Sequence, residues 1–251
     1  MSGKLYLIPA PLDFGCSEQA PLSQVMPAGT LEVAARLDHW ICENAKSTRA
    51  YLKRIHELRP LSRPLREQQI TELPRQVHKK GDHDGTFDAR PLLAAAKDGH
   101  DIGLVSEAGM PAIADPGSSV VRAAHDLGMA VIAMVGPASL LLALVSSGLN
   151  GQNFAFHGYL PQDDAERAVR IRQLEALALK TGQTQIFIET PYRNSLLLAA
   201  FLGALQDTTR LAVSWGLTLP QGNSRSATVR QWKKDARSFP HGLPAVFAFG
   251  R

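Results

Sequence analysis

The sequence predicts an α/β protein of two α/β domains with mainly parallel sheets, on three observations. Short apolar runs alternate with helix-period segments along the chain, two of those runs open into loops rich in glycine and proline, and the pattern restarts after Asn150-Gly151. Strands covered by helices and joined by crossovers produce such an alternation. The predicted domains are 1–151, which holds the glycine- and proline-rich loops, and 152–251, with a ligand cleft expected between them.

In the first half, KLYLIP (4–9) predicts a strand, 31–37 a short helix, HWICE (39–43) a strand and 47–58 a basic helix. The connector RPLSRPLR then breaks regular structure, because each proline removes a donor and restricts its predecessor. A helix is expected over 91–97, a buried strand at DIGLVS (101–106), a helix over 118–127 closed by Gly128, and a strand over 130–135. SLLLALVSS (139–147) is apolar nearly all round and predicts a helix buried on most faces. In the second half, strands are expected at 154–159, 185–189, 210–215 and 244–249. Helices are expected at 163–179, with Val169, Leu174 and Leu177 as its apolar positions, and at 195–205. Asp163 with Glu166 three residues on suits a helix start.

The 251 residues are 45% apolar and 20% charged, ordinary values for a globular chain. No low-charge apolar run is long enough to span a bilayer, and the N-terminus lacks the apolar core and cleavage site of an export signal. A cytoplasmic protein is expected. Cys16 and Cys42 form no C-x-x-C pair and predict reduced, structural thiols. The net charge of +4 is mild, but ten basic residues against three acidic over 46–80 give that segment a local +7. Such a segment suits either a solvated helix face or a surface that follows a phosphate backbone.

Ligands of open α/β sheets bind beyond the carboxyl ends of the strands. The richest such stretch is LVSEAGMPAIADPG (104–117), where Gly109 permits close backbone approach and Pro111 and Pro116 stiffen the loop. A second loop, Val135-Gly-Pro-Ala-Ser139, leads into an apolar helix whose first amides and Ser139 are available to a ligand. The chain has no G-x-G-x-x-G after its first strand, no P-loop, no G-x-S-x-G and no H-E-x-x-H, which argues against dinucleotide, ATPase, hydrolase and metalloprotease chemistry. HKKGDHDG gathers Asp82, His83 and Asp84 but lacks EF-hand spacing; a polar loop is expected there and no metal.

SEAGMPAIADPG, VGPAS about twenty residues later, FAFHGYLP and FIETPYR together resemble the tetrapyrrole methylase superfamily. Within it the chain is most similar to the ribosomal small-subunit RNA methyltransferase I type, which methylates a cytidine 2'-hydroxyl. The resemblance covers nearly the whole chain. It implies S-adenosyl-L-methionine as methyl donor, RNA as partner through 46–80, and a homodimer. It places cofactor contacts at Pro11, Leu12, Ser106, Ala108, Gly109, Met110, Ala138, Ser139, Glu189, Leu217 and Ala245. It also places Glu43 and Glu107 as catalytic or substrate-orienting acids.

Several positions depart from the pattern. The start reads IPAPLDF rather than PTPIGN, CENAK stands for AEDTR, and Met110 replaces a threonine. Lys46 supplies the charge of an arginine without its planar bidentate contact. The sequence ends at FAFGR where RNA-methylating members often continue into a helical region, so a shorter sister branch is expected. Alternatives are a tetrapyrrole or other small-molecule acceptor, or a non-catalytic cofactor- or RNA-binding protein.

Overall fold

The computed structural model describes residues 2–13, 15–80, 82, 85–235 and 242–251, residues 78–80 by their backbone alone. They form two compact units, Met1–Gly15 with Gln19–Pro137, and Cys16–Glu18 with Ala138–Arg251.

In the first unit the strands are β1 (Leu5–Ile8), β2 (His39–Cys42), β3 (Gln69–Glu72), β4 (Ile102–Val105) and β5 (Val131–Ala133). They lie in the order β3-β2-β4-β1-β5, and every neighbouring pair is parallel. The helices are α1 (Leu22–Val25), α2 (Ala28–Arg36), α3 (Ala45–Leu58), α4 (Arg75–Lys80) and α5 (Ser118–Asp126). Residues 91–97, expected as a helix, lie within a 3-10 helix over Arg90–Asp98.

Successive strand side chains point to opposite faces, so a sheet buried on both sides needs apolar residues throughout. Tyr6, Ile8, Trp40 and Cys42 pack with Leu31, Ala34, Leu52 and Ile55 from α2 and α3. Leu5, Ile41, Ile102 and Leu104 pack with Val77, Leu93, Val120 and Ala124. Gly103 admits the Trp40 ring, since a Cβ there would sit 2.6 Å from it. The Trp40 indole donates to Gln68 at 2.9 Å, which satisfies its one polar atom. Strand β3 and helix α4 were not expected. The sequence of β3, QITE, is an edge strand with mostly exposed side chains, so it carries no apolar run.

The second unit contains α6 (Ser139–Ser147), β6 (Phe154–Phe156), α7 (Asp164–Thr181), β7 (Thr184–Glu189), α8 (Asn194–Ala204), β8 (Arg210–Trp215), β9 (Asn223–Thr228), α9 (Val229–Lys234) and β10 (Ala245–Gly250). Its sheet runs β6-β7-β10-β8-β9. The fold class is α/β, but this sheet departs from the mainly parallel expectation. Only β6 and β7 pair in parallel; β10 is antiparallel to β7 and β8, and β8 to β9. Two features hide this from the sequence. Strand β9, NSRSAT, is polar, and the last strand inserts between two earlier ones.

Phe187, Phe201, Phe247 and Phe249 form the aromatic centre of this unit, with neighbouring ring centroids 5.3–5.7 Å apart. Asp163 caps α7 through the Glu166 amide at 2.9 Å, as the sequence predicts. The inward face of α7 differs from expectation: Ile171, Leu174 and Ala178 are buried while Val169 and Leu177 are exposed. Helix α6 buries Ala143 and Leu144 against Ile186, Val246 and Ala248. Leu141 and Val145 are 55% and 79% exposed, so α6 is not buried on most faces. Helix α6 packs on the second sheet, and contacts group Ala138–Arg251 with Cys16–Glu18. Cys42 is buried. No helix among the described residues is long and apolar enough to cross a membrane.

Candidate functional site

In the first unit a crevice of about 420 Å³ opens beyond the carboxyl ends of β1, β2 and β4. Ala10 and Pro11 enter it from β1, Asn44 from β2, and Ser106 and Glu107 from β4, while Lys46, Ser47 and Tyr51 of α3 face it from the side. Parallel strands end together, so their exit loops converge at one edge, where ligands of such sheets bind. Backbone pairing tightens the convergence. Ala10 and Gly109 exchange both hydrogen bonds, at 2.9 and 3.0 Å, which joins the loops after β1 and β4.

This pairing brings together the predicted cofactor residues of the first unit, Pro11 and Leu12 with Ser106, Ala108, Gly109 and Met110. Gly109 has φ +73°, and a Cβ there would lie 3.2 Å from Leu12 Cδ2 and 3.6 Å from the Pro137 carbonyl oxygen. A Cβ at Gly136 would meet Pro9 at 2.4 Å, so the loop after β5 presses on the same edge. Ser106 is 5% exposed, and its Oγ has no hydrogen-bond partner among the described residues. An unpaired buried hydroxyl costs about 1–3 kcal/mol, which a polar ligand in the crevice would offset.

The two predicted acids stand side by side. Glu43 follows β2 and Glu107 follows β4, and these strands are neighbours with Cys42 opposite Val105. Glu43 Oε1 accepts from the Glu107 amide at 3.4 Å, and Glu107 Oε1 accepts from Ser47 Oγ at 3.3 Å. Asn44 caps α3 by accepting from the Lys46 and Ser47 amides. Sequence reasoning missed Asp115 as a third acid. Burial, and then the charges of Glu43 and Glu107, push its carboxyl up to about 7. Desolvation of this kind has no signature in the residue string.

The loop that carries these groups is strained. Ala112 and Ala114 hold φ of +63° and +64°, which disfavours any residue with a Cβ. Asp82 holds the end of the loop. Its carboxylate accepts from the Gly117 and Ser119 amides, both at 2.9 Å, and from the Ser118 and Ser119 hydroxyls. Burial acts to raise the Asp82 pKa, but these hydrogen bonds outweigh it and hold the group below the usual carboxylate value. Asp82 thus caps the start of α5 from a distant segment. His83 and Asp84, grouped with it in the sequence, lie outside the described residues.

In the second unit, Glu189, Ala245 and Trp215 lie abreast across β7, β10 and β8, and Leu217 follows β8. Glu189 Oε1 accepts from the Thr190 amide at 2.8 Å, and Oε2 lies 3.5 Å from Arg193 Nε. Leu217 packs against the cluster around Ile186 and Val246. Ala138 is the cap residue of α6 and Ser139 its first residue. Beside Leu217 the structure shows a residue that sequence reasoning passed over: Thr218, with φ +72° and a buried Oγ1 that has no partner among the described residues. A β-branched side chain in left-handed backbone is a tertiary constraint that its identity does not announce.

The basic segment sorts into free and engaged groups. Lys46, Arg49 and Lys53 are exposed along one stripe of α3, three and four residues apart. Arg54 is not part of it; it clamps the buried Asp13 through hydrogen bonds of 3.0 and 2.9 Å and donates to the Ala20 carbonyl. Arg63 pairs with Asp38 at 2.7 Å.

These features define an α/β protein of two units, the first of which presents a crevice at the carboxyl edge of a parallel sheet. Residues 26–232 match the tetrapyrrole (corrin/porphyrin) methylases, and the chain belongs to this family. It is 30% identical over 200 residues to ribosomal RNA small subunit methyltransferase I of Mesorhizobium japonicum, covering 80% of this chain and 61% of that one. Against the Bacillus subtilis protein of the same name it is 30% identical over 216 residues, covering 86% and 64%. The chain thus spans less than two thirds of the length of these relatives. Among solved structures, a uroporphyrin-III-C-methyltransferase from Thermus thermophilus superposes with a TM-score of 0.55 at 17% identity, covering 99% of this chain and 94% of that one. That likeness is one of fold.

Proposed function

We propose that the chain is an S-adenosyl-L-methionine-dependent methyltransferase whose acceptor is a ribose 2'-hydroxyl of ribosomal RNA, acting in the cytoplasm as a homodimer. The observation that carries this reading is the unpartnered, buried Ser106 hydroxyl in a crevice edged by the Gly109 loop. A polar ligand that approaches backbone closely fits both. Pro11, Leu12, Ser106, Ala108, Gly109 and Met110 would hold the cofactor from the first unit, and Ala138, Ser139, Glu189, Leu217 and Ala245 are the candidates from the second. When bound, the sulfonium supplies a methyl group with its own leaving group, so the protein needs position rather than a nucleophile.

The chain's own work is then on the acceptor. Glu107 lines the crevice and is the group to take the hydroxyl proton. Glu43, bonded to the Glu107 amide, holds it in place. Asp115 keeps its proton up to about pH 7, which limits the negative charge gathered beside it. RNA as acceptor is supported by the names of the relatives and by the cationic stripe of Lys46, Arg49 and Lys53 next to the crevice. The exposed Leu141 and Val145 of α6 supply apolar surface suited to a second copy.

Calorimetric titration with S-adenosylmethionine and its demethylated product tests the reading. Saturable binding of both is expected, and Gly109→Trp abolishes it while circular dichroism shows the fold retained. Absence of binding by either compound at millimolar concentration overturns the proposal. Methyl transfer to a tetrapyrrole and not to small-subunit RNA would replace the acceptor while leaving the donor.

A further inference from the structure

At the opposite edge of the first sheet, Asp38, His39 and His100 gather at the amino ends of β2 and β4. His39 begins β2, Asp38 precedes it, and His100 lies two residues before β4, whose Ile102 pairs with His39. One ligand atom from each of the three residues lies within 4.8 Å of the others. The two imidazole rings are 4.3 Å apart between centroids. Asp38 Oδ1 lies 2.7 Å from His39 Nδ1, and its Oδ2 takes the Arg63 guanidinium at 2.7 Å. All three residues are half-buried.

We propose that Asp38, His39 and His100 form a binding site for a divalent transition ion of the zinc type, separate from the crevice. Two imidazole nitrogens and one carboxylate oxygen are the donor set that zinc takes in three-protein-ligand sites, with a fourth position left to water. Zinc bonds of about 2.0–2.1 Å in a tetrahedron place ligand atoms about 3.3 Å apart, a separation that lies between the 2.7 Å of Asp38 Oδ1 and His39 Nδ1 and the 4.8 Å within which all three ligand atoms fall. Arg63 does not compete for the ligand oxygen. It occupies the other oxygen of Asp38 and fixes the carboxylate, as outer-shell partners of ligating carboxylates do. A cavity of about 290 Å³ lined by Asp38, Gly99, His100 and Asp101 adjoins the group and provides entry. Arg36, which also lines it, is engaged by the Tyr6 hydroxyl at 2.7 Å. An ion here ties the amino ends of two neighbouring strands, so its role is to stabilise this unit.

The test uses the full chain, stripped with a chelator and titrated with Co(II) as a spectroscopic probe and Zn(II) as competitor. The expected result is one equivalent of Co(II) with strong visible d–d absorption, displaced by zinc, and a higher unfolding temperature in the zinc-loaded chain. His39→Ala and His100→Ala should each weaken binding at least about tenfold. His56→Ala, an exposed histidine of α3, should leave it unchanged. Thermal melts establish that the variants fold, and His100→Gln serves as a volume-matched replacement where the alanine variant does not. No saturable binding up to about 1 mM, or binding that both histidine variants retain within a factor of about three, overturns the proposal.

Discussion

Asp115 shows how one residue acquires chemistry from its surroundings. Its carboxyl is raised to about 7 from an ordinary 3.8 by burial and by Glu43 and Glu107. The folded chain therefore holds a proton that the unfolded chain releases. That contribution to stability is complete below about pH 4 and is lost as the pH rises through 7. Between those values the unfolding free energy should fall by at most about 1.4 kcal/mol per pH unit on this account. Asp115→Asn keeps the shape and removes the titration. Urea unfolding across this range should show a flatter profile for the variant and a gain in its stability at pH 8; equal slopes in both proteins would refute the assignment. Glu43, Glu107, Gly109 and Ser106 were singled out from motif position. Asp115 and Thr218 were not, because burial and backbone strain arise only when distant segments pack around them.

Among the elements, α5 depends on a residue far from it in sequence. Its own cap position is Gly117, which offers no side-chain acceptor, and Asp82 takes over that role from more than thirty positions upstream. Asp82→Ala should cost about 1–2 kcal/mol, the range of a lost helix cap. Amide exchange should accelerate at Gly117 and Ser119 and along the strained loop that ends there. Exchange confined to the vicinity of residue 82 would show that the clamp is not what holds the loop. Local pattern located most elements well: β8 occupies the predicted 210–215, and α8 and β7 fall within one residue of expectation. The strands it missed, β3 and β9, are polar and lie at sheet edges. Their partners cover one side only, so the apolar alternation that marks a strand is absent.

For the whole molecule the relevant quantity is where the charge sits. The net +4 is small, and the local +7 of residues 46–80 overstates what a partner meets. Arg54 and Arg63 are held by Asp13 and Asp38, while Lys46, Arg49 and Lys53 stay exposed on α3. Replacing those three with glutamate should weaken RNA binding and lower the slope of log affinity against log salt by about 0.7–0.9 for each phosphate that is no longer neutralised. The pair Arg49→Glu and Lys53→Glu, which leaves Lys46 at the crevice in place, should not change affinity for S-adenosylmethionine. An unchanged salt slope would move the RNA surface elsewhere.

The sequence by itself determined the α/β class, the parallel first sheet and the family, and it singled out the loops after β1 and β4 that the fold joins. All of these rest on local patterns, in apolar periodicity and in glycine and proline placed where strands end. Tertiary structure alone decided the antiparallel pairing of the second sheet, the transfer of α6 to the second unit, the engagement of Arg54 and Asp82, and the elevated proton affinity of Asp115. The reason is physical. Pairing partners, burial and electrostatic neighbours are set by residues distant in the chain, and no local window contains them.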